Sequence, residues 1–342
     1  MKTIRYALLG LLVAGGAPLP AAAAPVILKV AHFLPTASAA HSQMIVPWCE
    51  KIKSESNGGL ECQIFPAMQL GGTPGQLFGQ ARDGVADIVW TLPGYTPGRF
   101  PVSEVFELPF FSTTHEASSR ALWDFIQEHA QNEFKGVKPI ATWINGPNYL
   151  HLRDKQVQTL DDLKGMKVRA PSRLSNKLLT TLGASAMGMP LPQAVESFSK
   201  GVIDAAMLPW EVIPGVKLDE LAKYHAEVVG AGTMATSTMI YVMNQRKYDS
   251  LPAELRKVID DNSGQDTSAW VANQFKAADE RGRAAALKRG NVVYQIAPEE
   301  VQKWKEASAP VTQEWIQEIS AKGLDGQALH DEAKALVVKY GQ

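Results

Sequence analysis

Gly84-Val85-Ala86-Asp87-Ile88-Val89-Trp90-Thr91-Leu92-Pro93 is answered later in the chain by Gly201-Val202-Ile203-Asp204-Ala205-Ala206-Met207-Leu208-Pro209-Trp210. Each stretch follows a short amphipathic run, opens on a glycine able to end that helix, and then stays apolar for the length of a strand. A second echo keeps the same order: Lys29-Val30-Ala31-His32 and Lys167-Val168-Arg169-Ala170 each end a strand and are soon followed by proline. Two echoes in one order describe a repeated α/β unit, and so two similar lobes.

The surrounding pattern agrees. Val26 to Phe33, Leu60 to Phe65 and Ala86 to Leu92 read as strands. Ser42 to Ser54 and Pro74 to Arg82 read as helices, the first kinked or delayed by Pro47 and the second ended by Gly84. Alternation of this kind predicts parallel sheets with helices on their faces. The last third changes character. Pro252 to Arg289 is helical and nearly continuous, and Pro298 to Gly323 and Leu324 to Tyr340 are further amphipathic helices that would brace the lobes.

With 342 residues, 45 % hydrophobic and 20 % charged, the chain is long enough for two cores and unlike a disordered protein. A net charge of −1 gives no global attraction to nucleic acid or to an anionic membrane. Lys2 and Arg5, the apolar run Ala7 to Val13 and the alanines Ala21 to Ala24 form a secretory signal peptide, with cleavage expected after Ala23 or Ala22. Its loss leaves 32 basic against 35 acidic side chains. The two cysteines, Cys49 and Cys62, are expected either to pair in the oxidising compartment or to remain as separate buried thiols, and the disulfide is the prediction.

Catalytic signatures are missing: there is no GxSxG, HExxH, P-loop or GxGxxG, and the seven histidines show no zinc-ligand spacing. No metal, cofactor or catalytic group is expected. In open α/β sheets, ligands sit at the carboxyl ends of strands. That rule selects His32, Phe33, Trp90, Thr91, Trp143, Asn145, Asn148, Arg169, Met207, Trp210 and Glu211 as candidate binding residues. Arg169 is the sharpest, because a guanidinium fork at a strand end matches a carboxylate. Trp90, Trp143 and Trp210 would supply aromatic walls.

Leu160-Asp161-Asp162-Leu163-Lys164-Gly165-Met166-Lys167-Val168-Arg169 resembles a signature of DctP-type substrate-binding proteins of TRAP transporters. Gln69-Leu70-Gly71 and the paired Gly-x-x-Asp elements at 84–87 and 201–204 resemble further motifs of that family, as do Asn244 and Asp249-Ser250-Leu251-Pro252, and the likeness runs from about residue 27 to about residue 320. The resemblance implies an α/β, two-lobed periplasmic binding-protein fold of type II-like form. Its ligand cleft lies between the lobes and a long helix spans both. On this reading residues 1–23 are the signal peptide, 24–146 plus 236–280 the first lobe, and 147–235 plus 281–342 the second. The resemblance also implies periplasmic location, a carboxylate ligand held by Arg169, and delivery to the small and large subunits of a sodium-coupled membrane permease. The chain is expected to act as a monomer.

Two positions depart from the family pattern. Asn148 stands where a second arginine is common, and Leu208 where an asparagine is common. A dicarboxylate needs both ends neutralised, since an unpaired buried carboxylate costs several kcal/mol. The expected ligand is therefore an aromatic or otherwise apolar monocarboxylate, such as a 2-oxo, 2-hydroxy or cinnamate-like acid. A C4-dicarboxylate, which would draw a second charge from Arg153 or Lys29, and a sugar acid are the alternatives. A periplasmic dehydratase-like enzyme using His151 or Glu211 as acid or base is the third reading.

Overall fold

The computed structural model describes residues 24–230 and 232–341; the signal-peptide reading of residues 1–23 falls outside them. In chain order the elements are β1 (Val26–Ala31), α1 (Val46–Glu55), β2 (Leu60–Phe65), α2 (Leu77–Asp83), β3 (Ile88–Thr91), α3 (His115–His129), β4 (Val137–Ile144), β5 (Tyr149–Leu152), α4 (Leu160–Leu163), β6 (Lys167–Ala170), α5 (Arg173–Thr181), β7 (Ser185–Gly188), α6 (Leu191–Ser199), β8 (Ala205–Leu208), β9 (Tyr224–Glu227), β10 (Thr238–Asn244), α7 (Gln245–Asp249), α8 (Ala253–Asp261), α9 (Gln265–Arg289), β11 (Val292–Gln295), α10 (Pro298–Ser320) and α11 (Gly326–Tyr340).

They build two sheets, β2-β1-β3-β10-β4 and β11-β9-β5-β8-β6-β7. The sheets are mixed rather than parallel throughout. β10 is antiparallel to β3 and β4, and β5 is antiparallel to β8 and β9. The cause is the chain path. Residues 145–148 carry it from β4 into the second sheet and residues 228–237 return it to β10, so β5 and β10 each enter from the side between the sheets. Their neighbours β3, β4, β8 and β9 consequently end on that side.

The two sequence echoes prove to be two halves of one device. The Lys29 N–H donates to Asp87 Oδ2 at 2.8 Å while the Asp87 N–H donates to the Lys29 carbonyl at 2.9 Å. In the second lobe, the Lys167 N–H donates to Asp204 Oδ2 at 2.9 Å and the Asp204 N–H to the Lys167 carbonyl at 2.8 Å. Each aspartate thus locks the start of one strand to its neighbour. The glycine before it holds the left-handed turn, at φ +84° for Gly84 and +70° for Gly201.

Pro47 sits in the first turn of α1, where a missing N–H costs nothing, and a π-helical turn over residues 40–45 precedes it. The expected continuous helix from Pro252 to Arg289 is broken. Asn262 closes α8 by donating to the Val258 carbonyl, and Gly264 takes φ +107°, a conformation strained for other residues. After this break the 25-residue α9 packs on α3 and β4 of the first lobe and on β11 and the turn at Trp210–Val212 of the second. Gly282 lets it approach closely, since a Cβ there would lie 2.1 Å from the Trp210 carbonyl oxygen. Although residues 281–342 read as part of the second lobe, α11 packs on α3, and only α10 lies on α4 and α5.

Cys49 and Cys62 form a disulfide that ties α1 to β2. A bridge closing a loop of this size contributes about 3 kcal/mol. The Cys49→Ala/Cys62→Ala variant is expected to unfold in urea with a free energy lower by about that amount, and with a slope at least as steep because the unfolded chain is no longer cross-linked.

Candidate functional site

The strand ends of both sheets converge on one narrow cavity between the lobes. Phe33, Trp90, Leu92 and Tyr95 wall it from the first lobe, and Arg169, Leu208 and Glu211 from the second. Asn145, Asn148 and Ser237 line it where the chain crosses.

Arg169 sits within β6, 1 % exposed. Its Nε donates to the Met189 carbonyl at 2.9 Å, Nη1 to the Met207 carbonyl at 3.1 Å, and Nη2 to the Tyr95 hydroxyl at 3.3 Å. All three acceptors are neutral. Burial pulls the guanidinium pKa below its ordinary value, and Tyr95 offsets only part of that. Tyr95 comes from the other lobe. Its hydroxyl also accepts from the Leu191 N–H at 3.1 Å, which leaves its own proton to donate. Burial pushes the Tyr95 pKa up, against the pull of Arg169, so the phenol stays neutral.

The apolar wall is a ring cluster. Phe33 stacks on Trp90 with centroids 4.7 Å apart and planes 15° off parallel, and meets Tyr95 edge-on at 5.3 Å. The crossing segments are knitted together below it. Asn145 Nδ2 donates to Asn148 Oδ1 at 3.2 Å, Asn148 Nδ2 to Ser237 Oγ at 3.1 Å, and the Ser237 N–H to Asn145 Oδ1 at 2.7 Å. Glu211 is 5 % exposed, and its Oε2 has no hydrogen-bond partner. Burial first, and Asp279 second, raise its pKa well above the usual carboxylate range. Asp279 on α9 accepts from the Glu211 N–H at 2.6 Å and pairs with His115 Nε2 at 2.8 Å. Gly146 lies against this pair, where a Cβ would fall 1.7 Å from Asp279 Oδ2.

Of the residues selected from the sequence, the structure brings together Phe33, Trp90, Asn145, Asn148, Arg169 and Glu211. It turns five others away, mainly because adjacent strand residues face opposite sides. His32 points behind Phe33 and bonds His41 at 3.0 Å. Thr91 faces the Pro74 carbonyl, at 3.4 Å. Met207 contributes only its carbonyl, to Arg169. Trp143 packs against Phe275 of α9, 5.4 Å between centroids. Trp210 lies against His151 and His225 and donates to Glu227 Oε1 at 2.9 Å. Arg153 and Lys29, the alternative second cations, are also elsewhere: Arg153 bonds the Phe198 carbonyl and Asp154, and Lys29 is exposed. Sequence reasoning missed Tyr95 and Ser237. Tyr95 lies four residues past Thr91, and extending the strand-end rule by one turn would have reached it. Ser237 had no such signal, because nothing local marks where the returning chain meets Asn148.

Two α/β lobes with a small cavity between them define a bilobal solute-binding protein. The chain belongs to the bacterial extracellular solute-binding protein family 7, DctP, whose family model matches residues 30–318. Among solved structures, a TRAP solute-binding protein from Rhodoferax ferrireducens, in complex with copurified benzoate, is 46 % identical, with a TM-score of 0.91 over 92 % of this chain and 98 % of that one. A marine metagenome TRAP solute-binding protein specific for aromatic acid ligands, co-crystallised with 3-hydroxybenzoate, is 40 % identical, with a TM-score of 0.91 over 93 % and 99 % of the two chains. A TRAP solute-binding protein from Bordetella bronchiseptica with bound mandelate is 25 % identical, with a TM-score of 0.84 over 92 % and 99 %.

The lobes touch where Gly94 meets Ser172, and a Cβ on Gly94 would lie 2.7 Å from the Ser172 Cβ. Overpacking of this kind costs about 1–3 kcal/mol. Gly94→Ala is expected to weaken ligand binding by calorimetry roughly 5- to 150-fold without touching the cavity's polar groups, because it props the lobes apart.

Proposed function

We propose that this protein captures an aromatic monocarboxylate outside the cytoplasm and delivers it to a sodium-coupled TRAP permease. The observation that carries the reading is Arg169, a buried guanidinium bonded only to neutral oxygens beside an aromatic-walled cavity. A ligand carboxylate supplies the missing negative charge, with Tyr95 donating its free proton to the same group. The ring lies along Phe33 and Trp90, where aromatic contacts add about 0.5–1.5 kcal/mol beyond area burial. The benzoate, hydroxybenzoate and mandelate ligands of the similar proteins support this class. So does the lining itself: Arg169 is its one cationic side chain among the described residues, which disfavours a dicarboxylate. The N-terminal segment reads as the export signal that places the protein in the periplasm, and no helix among the described residues is long and apolar enough to cross a membrane.

A thermal-shift panel of aromatic, 2-oxo and C4-dicarboxylic acids tests the class. A ligand at 100 times its Kd stabilises by about 2.7 kcal/mol, and aromatic monocarboxylates are expected to do so. Arg169→Ala should lose about 2–5 kcal/mol of binding by calorimetry, with Lys restoring only part because it lacks the fork. Strong shifts with succinate, malate or fumarate and none with aromatic acids would replace this reading with the dicarboxylate one.

A further inference from the structure

Among the described residues, Glu211 is the only ionisable carboxyl or basic side chain in the cavity lining besides Arg169. It stands apart from that arginine electrically as well. The surroundings that shift Glu211 are burial and Asp279, while those that shift Arg169 are burial and Tyr95. The unsatisfied Oε2 is fully enclosed, and a buried polar atom without a partner is costly unless something fills the role. Nothing in the backbone needs the Glu211 side chain. Its N–H is taken by Asp279, and the cap of the short turn is made by the Trp210 carbonyl. The side chain is therefore available for recognition.

We propose that Glu211 is a specificity-determining residue that meets the ligand as an uncharged carboxylic acid, exchanging hydrogen bonds with a hydroxyl group on the ligand away from its carboxylate. A neutral acid offers one donor and one acceptor, which is the complement of a hydroxyl. A second carboxylate would find only one donor there and no compensating cation. An ammonium group would require the ionised form. The inference rests on the aromatic monocarboxylate reading and narrows it to hydroxylated members.

The charged and titratable groups around Glu211 favour that protonation state. Asp279 from α9 faces it, and His115 from α3 is engaged with Asp279. Tyr95 from the first lobe is neutral, and the remaining groups nearby, Tyr149, Glu227 and Arg283, form a set behind the turn in which Arg283 is bonded to Glu227. None of them gives Glu211 a cationic partner. With its pKa raised, Glu211 holds its proton to higher pH than an ordinary carboxyl and loses it as pH rises through the elevated value, so hydroxyl recognition weakens toward alkaline pH.

Calorimetry with benzoate, 3-hydroxybenzoate, isophthalate and 3-(aminomethyl)benzoate provides the test. The wild-type protein is expected to prefer 3-hydroxybenzoate to benzoate by roughly 10- to 100-fold, the effect of leaving a buried group unpaired. Glu211→Leu should erase the preference, so that whatever affinity remains is the same for the two acids. Glu211→Gln should keep part of it and lose its pH dependence, because an amide donates and accepts without titrating. Equal affinity for benzoate and 3-hydroxybenzoate in the wild type, with benzoate bound, overturns this inference alone. So does tightest binding of 3-(aminomethyl)benzoate, which marks an ionised Glu211, or of isophthalate. If no aromatic acid binds at all, the functional reading falls as well.

Discussion

The constraint on which this molecule turns is the burial of one positive charge without a negative one. Arg169 is held inside the second lobe by two backbone carbonyls and a phenol, and none of these carries charge. Removing an ion from water costs several kcal/mol even after relaxation. Folding meets that cost with a rigid frame. The parallel pairing of β6 with β7 and β8 fixes the Arg169 backbone, and the carbonyls of Met189 and Met207 aim at its fork. The result is a buried guanidinium whose three hydrogen bonds all go to neutral oxygens. Apart from Glu211, the cavity lining beside it is uncharged.

Around this arginine the architecture is largely a matter of where strands end. The Gly-x-x-Asp turns start β3 and β8, and the aspartates register those strands against β1 and β6. The second crossing then brings Ser237 onto Asn145 and Asn148. A further node lies on the opposite face of the crossing, where Asp279 gathers the Glu211 backbone, His115 and the bare Cα of Gly146. One helix, α9, therefore touches the cavity wall, the crossing and α3 at a single carboxylate.

The repeat, the lobes and the arginine were legible because each has a local signature: a glycine before an aspartate, an apolar run, a cation at a strand end. The side of each strand was not legible. In strands buried on both faces, polarity does not alternate, so Trp90 and Thr91, or Met207 and Leu208, look equally suited to face a ligand. Only tertiary packing sends Trp90 and Leu208 inward. Trp143 and Trp210 show the same limit on a larger scale, since a tryptophan at a strand end serves the core of α9 or a histidine pair as readily as a cavity. The mixed sheets were hidden for another reason: strand direction in β5 and β10 follows from a crossing between bodies, which no window of sequence contains.

Tyr95 gives the site a thermodynamic consequence. The first lobe contributes this hydroxyl to a charge that belongs to the second, and the same oxygen takes the Leu191 N–H. The contact between this hydroxyl and the guanidinium exists only where the lobes meet, so a ligand that needed both groups would bind with an apparent dissociation constant equal to the intrinsic one divided by the fraction of molecules in that arrangement. Occupancy and shape then become two readings of one equilibrium. A partner that read only the relative placement of the lobes could then tell an occupied molecule from an empty one without touching what is bound.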